Sequence, residues 1–190
     1  MLYTRHTAEP TASHDSLTVE EYLKLEVGAT VRHEYVGGEI FAMVAATKRH
    51  TGSSSILRAV SGGPRGGDCR VYSEGVKLRV ANDVIYYPDV MVACSPEGND
   101  PLVEDDPCLV VEVASPGTET TDRREKLAAY KRMPGPRAYL IVAQDRRWVE
   151  HHLRGEDNIW YRGDLVDEGR FSVSCPETKL ALVDIYEGLE

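Results

Sequence analysis

Leu109-Val110-Val111-Glu112-Val113-Ala114 sets a single carboxylate inside a run that is otherwise apolar. Six such residues without polar alternation read as a strand buried on both faces, the kind found in a sheet covered by helices. Upstream, Tyr86-Tyr87-Pro88-Asp89-Val90-Met91-Val92-Ala93 repeats the pattern, with Asp89 as the acid, and reads as one continuous strand. Downstream, residues 138–143 (AYLIVA) form another apolar strand. An ionised carboxylate inside such a strand is costly unless it is paired or coordinates a metal. Two of them on neighbouring strands would make a hard-oxygen site for magnesium or manganese. The blander reading is that each acid sits at a strand end and reaches solvent, or pairs with an arginine.

Outward from these strands, Thr18-Val19-Glu20-Glu21 has the form of a capping box, opening a helix to about Glu26. Residues 32–36 and 39–45 are strand-like and flank Gly37-Gly38, a two-residue hairpin signal. A helix over residues 48–60 is followed by the glycine-rich loop 62–67 and strands at 69–72 and 76–80. The clearest helix spans residues 121–133 and is stopped by Pro134-Gly135-Pro136. Further strands are expected around Trp148, Ile159, Phe171 and Leu180. The order predicts an α/β (α+β) fold, a mixed sheet flanked by helices with an N-terminal hairpin and extra C-terminal strands.

At 190 residues the chain fits one domain. Residues 1–16 are read as a flexible arm and residues 17–190 as a single domain. No apolar run approaches the ~20 residues of a membrane helix. The first residues also lack the apolar middle of a signal peptide, so a cytoplasmic location is expected. Cys69, Cys94, Cys108 and Cys175 form no CxxC pair and have no accompanying histidines at zinc-like spacing. They are expected to be buried small hydrophobes without a disulfide framework. The formal net charge of -9 argues against a nucleic-acid partner, since phosphate binding draws on a basic face. Clustered carboxylates that hold a cation, and local basic groups such as Lys48-Arg49-His50, Arg123-Arg124 and Lys131-Arg132, work in the other direction.

Pro88-Asp89, then Glu112-Val113-Ala114-Ser115-Pro116, then the helix sequence DRREKLAAY over residues 122–130 together resemble the Uma2 family of endonucleases (DUF820-like). That family is assigned to the PD-(D/E)XK nuclease superfamily. The hairpin Arg32-His33-Glu34-Tyr35-Val36-Gly37-Gly38-Glu39-Ile40 and the histidine at position 50 extend the resemblance, which runs from about Leu17 to Leu153. It implies a restriction-endonuclease-like fold and a Mg2+- or Mn2+-dependent endonuclease acting on DNA. Asp89, Glu112 and the Val113 carbonyl would hold the cation, with Glu34 as a third acid. His50 would contact the scissile phosphate or a water beside the metal.

The superfamily lysine two residues after the glutamate is absent, because Ala114 stands there. The resemblance supplies the amine from Lys126, whose long stem could reach a strand end. Alternatively, Lys126 pairs with Asp122 one helical turn away. Tyr130 could position Lys126, but reads first as a core residue. A homodimer is expected from the need to cut two strands and from the frequency of two-fold assemblies. Two other functions stay open: an inactive binding module on the same fold, and a metal-dependent hydrolase of RNA or nucleotides.

Overall fold

The computed structural model describes residues 16–43, 52–61, 69–73, 75–114 and 122–187. His50 and all of the expected N-terminal arm except Ser16 lie outside the described residues. Strands β8 (Leu109–Ala114) and β9 (Ala138–Ala143) pair in parallel, and every residue of both is buried. On the other side of β8, β6 (Val90–Ala93) runs antiparallel, followed by β3 (Arg70–Ser73). Beyond β9 come β10 (Trp148–Arg154) and β11 (Trp160–Val166), giving the order β11-β10-β9-β8-β6-β3.

Side chains alternate between the two faces of this sheet. Leu109, Val111, Leu140 and Val142 pack against Ile56 and Val60 of α2 (Gly52–Ser61) and against Leu182 and Ile185 of α4 (Leu182–Ile185). Val110, Tyr139 and Ile141 face the other way, onto Ala129, Tyr130 and Met133 at α3 (Leu127–Arg132). Glu112 shares the parity of Val110, so its carboxylate points to the α3 side. Each fully buried Leu or Ile here contributes about 1.5–3 kcal/mol of hydrophobic stabilisation.

A second sheet has the order β2-β1-β5-β4-β7, from β1 (His33–Val36), β2 (Glu39–Ala42), β4 (Lys77–Ala81), β5 (Val84–Tyr86) and β7 (Val103–Glu104). Gly37 and Gly38 both take positive φ, 59° and 96°, as the tight hairpin between β1 and β2 demands. Helix α1 (Val19–Glu26) begins at the Thr18/Glu21 capping box and lays Tyr22 on Tyr35, ring centroids 5.1 Å apart. The last hairpin, β12 (Arg170–Ser174) and β13 (Glu177–Ala181), adds Phe171, Val173 and Leu180 to the α2 side of the core.

Two sequence expectations are corrected. The single strand expected over residues 86–93 is two strands in different sheets, because Pro88 cannot donate to a ladder and breaks the run. The cysteines are not unlinked: Cys69 is bonded to Cys94 and Cys108 to Cys175. Continuing the β3–β6 register one step past Arg70↔Ala93 sets Cys69 opposite Cys94. The β12–β13 turn brings Cys175 to the start of β8, a contact between distant segments that residue spacing does not carry.

Near the outer edge of the large sheet, Glu150 on β10 is buried yet ionised. His152 Nε2 lies 2.7 Å and Arg162 Nε 3.2 Å from its Oε1, and Arg123 Nε donates to Oε2 at 3.1 Å. Burial alone would raise its carboxyl pKa, but His152 and Arg162 hold it below the ordinary value. Burial pushes His152 down despite its Glu150 partner, and pushes His151 down as well, so both imidazoles are neutral in the fold. The unfolded chain, with histidine near pH 6.5, therefore binds protons that the native state refuses as pH falls. We expect the melting temperature to drop as pH is lowered from about 7 to about 5, through the histidine range. His152→Gln should flatten that slope. Melts that do not change over this interval would contradict the assignment.

Candidate active site

The break at Pro88 places Asp89 at the entrance to β6. One step beyond the Val90↔Val111 pair, the antiparallel register sets Asp89 opposite Glu112. The Val113 amide donates to Asp89 Oδ2 at 2.7 Å, which fixes this carboxylate against β8. Glu34 arrives from β1 of the smaller sheet, and the Tyr87 amide donates to its Oε1 at 3.4 Å. The site thus lies where the two sheets meet.

Lys126 closes it. Residues Asp122–Lys126 form a π-helical turn that leads into α3. Such turns are uncommon and concentrate at functional sites. Lys126 is 6% exposed, and its Nζ lies 2.8 Å from Glu34 Oε1 and 3.2 Å from Glu112 Oε1. Its ammonium also sits 5.4 Å from the centre of the Tyr86 ring, a cation–π distance. Lys126 thus pairs with acids from both sheets. The alternative partner, the Asp122 side chain, lies outside the described residues.

Glu112 is 3% exposed in the middle of an apolar strand. Besides Lys126, it accepts a 2.8 Å hydrogen bond from the Tyr130 hydroxyl. Burial, with the Glu112 charge beside it, holds the Tyr130 phenol well above its ordinary pKa, so it remains a donor across the physiological range. Tyr86 donates to Glu125 at 2.9 Å, and burial raises its pKa as well. Arg123 ties the π-helical turn to β10 through Glu150 and stacks over Trp148 at 4.6 Å, which helps fix where Lys126 emerges.

The structure therefore brings together Glu34, Asp89, Glu112 and Lys126, with the Val113 backbone beside them. His50 lies outside the described residues. Sequence reasoning left Tyr130 to the core. It is a core residue, and its polar tip also holds Glu112. The signal was present, since a tyrosine four residues after the lysine on a buried helix face needs an acceptor for its hydroxyl. Arg123 and Glu150 were missed because their contact joins segments 27 residues apart.

Two carboxylates, Glu34 and Glu112, contact one ammonium here, and a third, Asp89, stands opposite Glu112 in the β6–β8 register. Their hard oxygen donors, and the negative charge that Lys126 only partly offsets, fit a magnesium or manganese ion. A cation entering between Glu34 and Glu112 would take over contacts that Lys126 now makes.

Comparison with known proteins agrees with the fold. The chain is 32% identical over 183 residues to the uncharacterized protein slr1290 of Synechocystis sp., covering 95% of this chain and 96% of that one. A second uncharacterized protein of the same organism, sll1609, is 31% identical over 159 residues, covering 80% of this chain and 89% of the other. The crystal structure of "a putative nuclease belonging to DUF820" from Anabaena variabilis superposes with a TM-score of 0.73. The match covers 92% of this chain and 99% of that one at 16% identity, and so speaks to the fold alone. The family model Uma2, described as "Putative restriction endonuclease", matches residues 19–182, and this chain belongs to that family.

Proposed function

We propose that the chain is a metal-dependent endonuclease that hydrolyses DNA phosphodiester bonds at the Glu34, Asp89, Glu112 and Lys126 cluster. The observation that carries this reading is the buried ammonium of Lys126 in contact with both Glu34 and Glu112, the latter standing opposite Asp89 in the β6–β8 register. Membership of a family described as "Putative restriction endonuclease" supports it.

Asp89, Glu112, the Val113 carbonyl and Glu34 would hold Mg2+ or Mn2+. When bound, the ion supplies Lewis acidity toward the phosphate and lowers the pKa of water. The chain's own groups do the rest. The Val113 amide orients Asp89, and the Tyr130 hydroxyl holds Glu112 in one rotamer. Released from one carboxylate, Lys126 can hydrogen-bond the attacking water and offset the charge that grows on the phosphoryl oxygens. The apolar walls from β8 and α3 strengthen each of these interactions by excluding solvent. Cutting both strands of a duplex would use two copies related by a two-fold axis, acting in the cytoplasm.

The net charge of -9 favours one competing substrate, a nucleotide or short RNA, which needs fewer phosphate contacts than duplex DNA. Incubation with Mn2+ and, in parallel, plasmid DNA, single-stranded RNA and nucleoside triphosphates separates these readings. Plasmid nicking is the expected result, and turnover of nucleotides alone would replace DNA as the substrate.

Asp89→Ala and Glu112→Ala should each lower metal-stimulated cleavage by about 100-fold or more. Mn2+ binding should weaken in parallel. Lys126→Ala should lower cleavage by a similar factor, on the order of 100-fold, while leaving Mn2+ binding intact or tighter, since a competing cation is gone. Full-rate cleavage by Lys126→Ala would refute its role. Tyr130→Phe removes only a hydroxyl, and should cost about 1–3 kcal/mol of stability by leaving Glu112 short of a donor. Cleavage should fall with it, and an unchanged melting temperature would show that Glu112 does not depend on this bond.

A further inference from the structure

All four cysteines of the chain meet at one place, at the end of β6 remote from Asp89. Cys69 precedes β3, Cys94 follows β6, Cys108 precedes β8 and Cys175 lies in the turn between β12 and β13. Two covalent bridges have no need to touch each other in order to cross-link a fold. Here they do: Cys94 Sγ is 3.7 Å from Cys108 Sγ. The Sγ atoms of Cys94, Cys108 and Cys175 all lie within 4.8 Å of one another, and Cys69 is bonded to Cys94. A tetrahedral Zn–S4 centre with bonds of about 2.3 Å has S···S edges of roughly 3.8 Å, close to the Cys94–Cys108 separation.

The geometry points to a second metal site: in their reduced state the four cysteines form a tetrathiolate centre for zinc or a similar soft divalent cation. The backbone around it is held firmly. The Cys108 amide donates to the Val92 carbonyl at 2.7 Å, and the Cys108 carbonyl accepts from the Arg137 and Ala138 amides at 2.7 and 3.1 Å. Reaching the reduced state takes a dithiol or phosphine reductant. Each disulfide takes up two electrons and two protons: a dithiol supplies both and closes to a disulfide, or a phosphine supplies the electrons and takes the oxygen of a water molecule, whose two protons go to the thiols. Metal binding then releases the four thiol protons to solvent as the thiolates coordinate.

The two ends of β6 would thus select different ions. Asp89 and Cys94 are five positions apart, roughly 16 Å along an extended strand. Carboxylates at one end suit hard cations, and thiolates at the other suit soft ones. A bound ion would also fasten the β12–β13 hairpin, through Cys175, to the central sheet.

The test uses the full chain reduced with a phosphine under anaerobic conditions and titrated with Co2+. A single equivalent should produce thiolate-to-cobalt charge-transfer absorption and the visible bands of a tetrahedral ion, both abolished by Zn2+. Cys108→Ser and Cys175→Ser should each lose the charge-transfer intensity, with circular dichroism verifying that they remain folded. Asp89→Ala/Glu112→Ala should keep it in full, so this site can fail or stand independently of the carboxylate cluster. A reduced chain without charge-transfer absorption would overturn the inference. So would free-thiol reactivity that is equally fast with and without zinc.

Discussion

A carboxylate in the middle of a strand buried on both faces is the constraint around which this protein is organised. Glu112 stands between Val111 and Val113 with neither face of its strand open to water. Its charge is tolerable because Lys126 and Tyr130 reach it from one helix. Removing one partner from a buried pair typically costs on the order of 3–5 kcal/mol, more than most single side chains contribute to a fold. The position of α3 over β8 is therefore set by electrostatics as much as by the packing of Ala129 and Met133.

The same pairing joins two sheets. Lys126 contacts Glu112 of the six-stranded sheet and Glu34 of the five-stranded one, while Asp89 occupies the segment that crosses between them. Leu78 and Tyr86 from the smaller sheet complete the apolar layer around Val110 and Tyr139. The carboxylate–lysine cluster thus sits at a seam whose closure depends on groups from both sides. The proposed metal would replace part of an existing charge arrangement and would not have to create one. The π-helical turn serves this end by advancing the lysine to the seam without interrupting the helix that follows.

Electrostatics elsewhere follows the same rule of paying for burial with donors. Glu150 is held by a neutral histidine and two arginines. Through Arg123 that network steadies the turn from which Lys126 emerges, so the edge of the sheet and the site are mechanically linked. The cysteines at the far end of β6 form a separate cluster of different chemical softness, and the strand between the two carries only apolar side chains.

Much of this was legible in the chain itself. Unbroken apolar runs over 109–114 and 138–143 mark central strands because only residues with no polar side to present can be covered on both faces. The capping box at Thr18 and the Gly37-Gly38 hairpin were legible because they are local, decided by hydrogen bonds and φ values a few residues apart. Acids at 89 and 112 stood out because their surroundings made them costly. Other features belong to the tertiary structure alone. The Arg123–Glu150 tie, the choice of Glu112 as the acceptor for Tyr130 and the meeting of the four cysteines join segments from 14 to 67 residues apart. Long-range contacts of that kind depend on sheet order and on where helices land, and no local preference of the chain encodes them.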